Sequence, residues 1–168
     1  MLLPFLGYLY SLSVRYIKAA SGRQRFSVLG ALNAVTKELV MITEHAYINA
    51  TSVCALLEKL HEQFYDLPIV LIMDNARYQR CQLVLEKAKS LNIQIIFLPP
   101  YSPILNLIER LWKFVKKKAL YNEYYPKYPL FCSAIVNCLE QTSTSYKEEL
   151  DTLLAPNFQS FKNIIIQP

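Results

Sequence analysis

Residues 69–118 read IVLIMDNARYQRCQLVLEKAKSLNIQIIFLPPYSPILNLIERLWKFVKKK. The apolar run of residues 67–73 ends in a carboxylate, Asp74. Its length fits a strand covered on both faces, as in a parallel sheet. Cys81, Val84, Leu85, Ala88 and Leu91 recur at helical spacing and predict the buried stripe of a helix. Residues 93–98 predict a second buried strand. A proline-rich corner follows, Pro99-Pro100-Tyr101-Ser102-Pro103, and then Asn106 stands where a helix cap would. Beyond it, Ile108, Leu111, Trp112, Val115 and Ala119 predict the inward stripe of a helix that carries a second carboxylate, Glu109.

Outward from this stretch the pattern continues. Residues 8–17 are aromatic and β-branched and favour an extended form. Residues 19–25 form a turn containing Ser21-Gly22 and the bases Arg23 and Arg25. Residues 26–34 and 39–46, separated by Thr36-Lys37-Glu38, predict a hairpin. Asn49 can cap a helix to about Phe64, with Val53, Leu56, Leu57, Leu60 and Phe64 on one face. A further helix starts near Pro129 with Phe131, Ile135, Cys138 and Leu139 inward, and residues 147–154 predict a short last one. A hairpin followed by strand, helix, strand and helix implies an α/β fold, a mixed sheet with helices on its faces.

Composition narrows the class. A chain of 168 residues that is 53% hydrophobic forms one core, with room for a small appendage, and is not disordered. The net charge of +5 suits a polyanionic partner and suits an ordinary basic protein equally. Cys54, Cys81, Cys132 and Cys138 form no CxxC pair, and His45 and His61 lie far from most of them in sequence, which argues against zinc and fits free thiols in a reducing compartment. Residues 1–14 are uncharged, lack a basic leader and are too short to span a bilayer, so the expectation is a soluble protein with no membrane partner.

Two carboxylates stand out. Carboxyl ends of strands are where ligands bind in open α/β sheets, which favours Asp74; the plainer alternative is a cap on the helix after it. Glu109 is favoured by the helix dipole and could pair with Lys113, a complete structural explanation; against it, Pro99, Pro100 and Pro103 stiffen the corner and fix the helix start, as a metal ligand requires. Arg110, Lys113, Lys116, Lys117 and Lys118 are either a solvated face or a phosphate-neutralising one. Tyr121, Tyr124, Tyr125 and Tyr128 could stack on unpaired bases or serve as core and surface tyrosines.

Residues 98–112, LPPYSPILNLIERLW, resemble the signature of the DDE transposases of bacterial insertion sequences in the mariner-type superfamily. Asp74-Asn75-Ala76 resembles their second-acid motif, and the thirty-four residues between Asp74 and Glu109 match the usual interval. Residues 25–32 and Tyr47-Ile48-Asn49-Ala50 look like the same group. The resemblance implies a ribonuclease H-like fold for residues 1–122, with residues 123–168 as a helical extension packed on the same domain. It implies Asp74 and Glu109 as second and third ligands to two Mg²⁺ or Mn²⁺ ions, and cleavage and strand transfer at transposon ends and target DNA. Arg23, Arg25, Arg110, Lys113, Lys116, Lys117 and Lys118 would then contact DNA, with Pro99, Pro100, Tyr101, Ser102, Pro103 and Asn106 shaping the corner. A homodimer or pairing with full-length transposase, in the bacterial cytoplasm at the nucleoid, is also implied.

The departures matter as much. Leu107 replaces the usual proline after Asn106, and Arg77, Tyr78 and Gln79 occupy a region where many members have histidine. No aspartate or glutamate precedes Glu38, so the first acid of the family has no counterpart. The expectation is a chain truncated just after the first, central catalytic strand, without the helix-turn-helix region and inactive alone, or else a non-enzymatic remnant that binds DNA or inhibits intact transposase. A resolvase-like nuclease fits the corner and acid spacing less well, and a flavodoxin-like binding domain lacks a glycine-rich phosphate loop.

Overall fold

The computed structural model describes residues 24–99 and 105–155. Strands β1 (Ser27–Leu32) and β2 (Leu39–Glu44) form an antiparallel hairpin with Leu29 opposite Ile42. Asn33 shapes its turn, its Oδ1 accepting from the N–H groups of Val35 and Thr36. Buried Lys37 donates to the Ala34 carbonyl and pairs with Asp151 at 3.6 Å. Helix α1 (Ala50–Gln63) starts where a reciprocal capping box forms between Asn49 and Ser52. Then come β3 (Ile69–Met73), α2 (Gln82–Ser90), β4 (Ile93–Phe97), α3 (Leu107–Ala119), α4 (Tyr128–Glu140) and α5 (Lys147–Leu153).

β3 and β4 pair in parallel, Ile69 with Ile93 through Met73 with Phe97. Among the described residues they form one two-stranded sheet and the hairpin forms another, with no ladder between them. One core nevertheless spans both. Val53, Leu56, Leu57 and Leu60 of α1 bury against Leu29, Ala31, Val40 and Ile42 of the hairpin and against Leu71, Met73, Ile93 and Ile95 of the parallel pair. The strand period of two sends the alternate hairpin residues Val28, Leu39 and Met41 to the opposite face. There a second core forms with Leu111, Phe114 and Val115 of α3, Ile135 and Leu139 of α4, and Leu150 of α5. Gly30 faces this side; a Cβ there would meet Leu39 Cδ1 at 3.0 Å and Trp112 Cη2 at 3.6 Å, so its missing side chain lets α3 approach the sheet.

The hairpin, the capped α1, both later strands and the last helix form where the sequence pattern puts them. Three details differ. Among the described residues, residues 67–73 are not covered on both faces: Val70 (53% exposed), Ile72 (57%) and Ile96 (45%) form an exposed face on the parallel pair. α1 and α2 pack on the other face of that pair, and α3 packs on β1 instead. Leu85 points outward because α2 buries only Val84 and Ala88, one turn apart. Phe114, absent from the predicted stripe of α3, is buried in the second core and meets Tyr146 edge-on at 5.3 Å between ring centres, while Ile108 and Trp112 are only half-buried. The extended segment expected at residues 8–17 and the tail after residue 155 lie outside the described residues. Within them, no helix is long and apolar enough to cross a membrane.

Leu57 is fully buried at the centre of the shared core, and Leu83 is half exposed on α2. Leu57→Ala should lower unfolding free energy in urea by about 2–5 kcal/mol through the cavity it leaves. Leu83→Ala should change it by less than about 0.5 kcal/mol in the same titration.

Candidate functional site

Asp74 follows β3 directly and is exposed. The parallel pair extends one bond past it, Leu98 N–H to Met73 O at 2.8 Å, so the strand end is fixed. The alternative that Asp74 caps the next helix fails: α2 begins only at Gln82, with Cys81 at its cap. The intervening turn closes with the N–H groups of Gln79 and Arg80 donating to the Ala76 carbonyl, and Arg80 Nη1 donates to Asn75 Oδ1 at 3.3 Å. Burial, and after it the negative charge of Asp74, pushes the Tyr78 hydroxyl upward in pKa. Gln79 is buried, and its Oε1 accepts no hydrogen bond. Sequence reasoning placed Gln79 in the region where the family pattern often has histidine; its burial was not legible there.

Glu109 is exposed in the first turn of α3. Asn106 caps that helix as expected, its Oδ1 accepting from Ile108 N–H at 3.3 Å, and Glu109 N–H donates to Asn106 O at 3.2 Å. The ion pairs among the described residues do not include Glu109 with Lys113, so that pairing does not account for the acid. Asp74 and Glu109 therefore both face solvent at element ends, one beside a strand bond and the other in a capped helix turn.

Carboxylate oxygens suit a hard divalent ion such as Mg²⁺ or Mn²⁺. The number of donors does not: among the described residues no three His, Cys, Asp or Glu side chains converge. Glu38 is no substitute. Its Oε1 accepts from Gln63 Nε2 at 2.5 Å, at the end of α1 from which a short link leads into the start of β3. Asp74 lies past the other end of that strand.

The predicted basic contacts separate into groups. Arg110 donates to the Ala155 carbonyl at 3.0 Å, and Lys118 pairs with Glu149 at 2.8 Å beside the Phe114 and Tyr146 rings, so both tie α3 to the end of the chain's last described helix. Lys113, Lys116 and Lys117 are exposed on α3. Arg25 is exposed with its guanidinium 3.6 Å from the centre of the Tyr47 ring. Arg23, Pro100, Tyr101, Ser102 and Pro103 lie outside the described residues. Of the tyrosines, Tyr121 and Tyr124 are exposed. Tyr125 donates to Ala119 O at 2.6 Å and Tyr128 to Arg25 O at 2.6 Å, which makes those two structural. All four cysteines are free thiols.

The cap offers a check on how Glu109 is held. Asn106→Ala should cost about 1 kcal/mol in thermal or urea unfolding, and Asn106→Ser should recover most of it, because serine also accepts from the first turn.

The family model described as "DDE superfamily endonuclease" matches residues 12–131. No curated protein sequence is detectably similar. Among solved structures, the Mos1 mariner paired end complex with Mn matches with a TM-score of 0.52 at 14% identity, over 86% of this chain and 50% of that one. The simian T-cell lymphotropic virus intasome, in complex with a PP2A regulatory subunit, matches with a TM-score of 0.52 at 14% identity, over 71% and 49%. The Mos1 transposase catalytic domain with Raltegravir and Mg matches with a TM-score of 0.50 at 15% identity, over 82% and 84%. The chain thus spans about half the length of the first two. At these identities the likeness is one of fold: an α/β, ribonuclease H-like arrangement with small sheets and flanking helices.

Proposed function

The chain belongs to the DDE superfamily endonuclease family, and on that basis we propose that it is the catalytic domain of a transposase, built to hold DNA at metal-bound carboxylates but inactive alone. Asp74 and Glu109 are the second and third acids in this reading. The observation that carries it is the position of Asp74: exposed at the carboxyl end of a parallel strand, eight residues before the helix it might otherwise have capped. The exposed Lys113, Lys116 and Lys117, on the helix of Glu109, supply positive charge for phosphates. When bound, Mg²⁺ or Mn²⁺ would polarise the scissile phosphate and activate the attacking oxygen. Two carboxylates without a third leave a pair of such ions short of charge and fixed geometry, which is the reason for proposing inactivity.

A second reading has its own observation. The bare apolar face of Val70, Ile72 and Ile96 on a two-stranded sheet suits a remnant that pairs with intact transposase and inhibits it. Such a chain would act in the cytoplasm, at the nucleoid.

Incubation with Mg²⁺ or Mn²⁺ and duplex DNA carrying the element's ends should give no nicking above background. Metal-dependent nicking that disappears in Asp74→Ala would show the chain to be active and overturn the inactivity, while leaving the assignment of Asp74 intact. Co-expression with a full-length relative separates the second reading: transposition should fall if the chain pairs with it, and stay unchanged if it does not.

A further inference from the structure

A pocket of about 430 Å³ opens at the end of the hairpin away from its turn, lined among the described residues by Gln24, Arg25, His45 and Tyr128. Its volume lies in the range of small-molecule sites. Three separate elements meet there: the approach to β1, the residue just after β2, and the first residue of α4. Tyr128 joins them. Its hydroxyl donates to the Arg25 carbonyl at 2.6 Å and lies 2.9 Å from His45 Nδ1. Desolvation, and after it the neighbouring Cys132 thiol, pushes that hydroxyl up to about 12, so it keeps its one proton at neutral pH. A carbonyl only accepts, which commits the proton to Arg25 O. The bond to His45 must then be donated by the ring: Nδ1 carries hydrogen, and Nε2 is the nitrogen left for a ligand.

The charge around this nitrogen has one sign. No described lining residue is acidic. Glu44, the nearest acid in β2, sits opposite Ser27, on the face that Ile42 and Leu29 turn toward α1. His45 alternates to the other face, where its ring lies 5.8 Å from that of Phe26. Arg25 makes no ion pair with any described residue and rests its guanidinium on the Tyr47 ring, so its N–H fork is held in place without being consumed. The α4 terminus itself contributes little: Pro129 has no N–H, and the N–H groups of Leu130 and Phe131 already donate to Lys127 O. Recognition there falls to side chains.

We propose that this pocket binds a single phosphate group, with the Arg25 fork and the Gln24 amide donating to its oxygens beside the anchored His45 ring. An Arg fork matches two phosphate oxygens at once, and a ring anchored through Nδ1 presents Nε2 in one orientation. Tyr128 is a positioning residue here, acting through His45. The phosphate is either free or part of a nucleic-acid strand. The site is distinct from Asp74 and Glu109.

The test follows the imidazole resonances of ¹⁵N-histidine-labelled full-length chain. His61, in the last turn of α1, is an internal control. At fixed pH and ionic strength, inorganic phosphate and a hexathymidylate oligonucleotide are titrated separately, with chloride as the blank. His45 should start as the Nδ1–H tautomer and its resonances should shift saturably, while His61 stays still. Arg25→Gln should raise the apparent Kd by about tenfold or more. Tyr128→Phe should weaken binding and also abolish the tautomer preference, a signature that loss of stability alone would not give. Saturation by phosphate but not by the oligonucleotide assigns the site to free phosphate. Tighter saturation by the oligonucleotide, still weakened in Arg25→Gln, assigns it to a strand. Linear shifts shared by His45, His61 and the chloride blank, or an Arg25→Gln variant that binds as the parent does, would overturn the proposal.

Discussion

Helix α1 holds together two sheets that share no hydrogen-bonded ladder among the described residues. Its stripe, Val53, Leu56, Leu57 and Leu60, is nearly inaccessible to water and touches strands of both. Hydrophobic burial is non-directional, so a helix can tie together sheets whose backbones do not meet. The same lack of direction makes the tie less specific than a strand pairing, which would fix register and height. Among the described residues, the relative placement of hairpin and parallel pair therefore rests on side-chain packing, and the asparagine–serine capping box fixes where α1 begins.

This division runs through the candidate site. Asp74 is carried by β3, which belongs to the core around α1. Glu109 is carried by α3, which belongs to the core on the other face of the hairpin. Apart from the proline corner, the route from one acid to the other passes from β3 to α1, through the thickness of the hairpin, across the Gly30–Trp112 contact and along α3. A hydrogen-bonded strand between hairpin and β3 would shorten that route and make the two acids parts of one sheet-based frame.

Much of this was legible in the sequence because it depends on local chemistry. The Asn49 and Asn106 caps, the stripe of α1, the hairpin and the two apolar strands follow from spacing and turn residues, and the resemblance in residues 98–112 pointed to the family that the match over residues 12–131 establishes. What the sequence did not reveal depends on neighbours distant in the chain. The run Ile69 to Met73 is uniformly apolar, and nothing in it says that Val70 and Ile72 face outward; that is decided by α3 packing on β1 rather than on β3. Phe114 is buried in the core shared with α4 and α5, where Tyr146, more than thirty residues later, meets its ring edge-on. Of the basic residues, spacing could not separate Arg110 and Lys118, which are engaged with the end of the described chain, from Lys113 and Lys117, which face solvent.

The same limit explains why Tyr128 was read as one of four interchangeable tyrosines. Its role comes from the hairpin, more than eighty residues earlier, where His45 and the Arg25 carbonyl wait for a hydroxyl. A single proton shared among three polar groups forces a unique assignment of donors, and that assignment orients a histidine which the chain order gives no reason to notice. The hairpin thus serves both of its ends differently. Its turn is tied to α1 and α5 through Glu38 and Lys37, and its open end is tied to α4 through Tyr128. Among the described residues charge is neutralised at the turn, where Lys37 meets Asp151, and not at the open end, where Arg25 has an aromatic ring beneath it and no acid paired with it. An arginine supported in that way has lost conformational freedom without losing its donors, which is the condition under which an anion binds with least reorganisation.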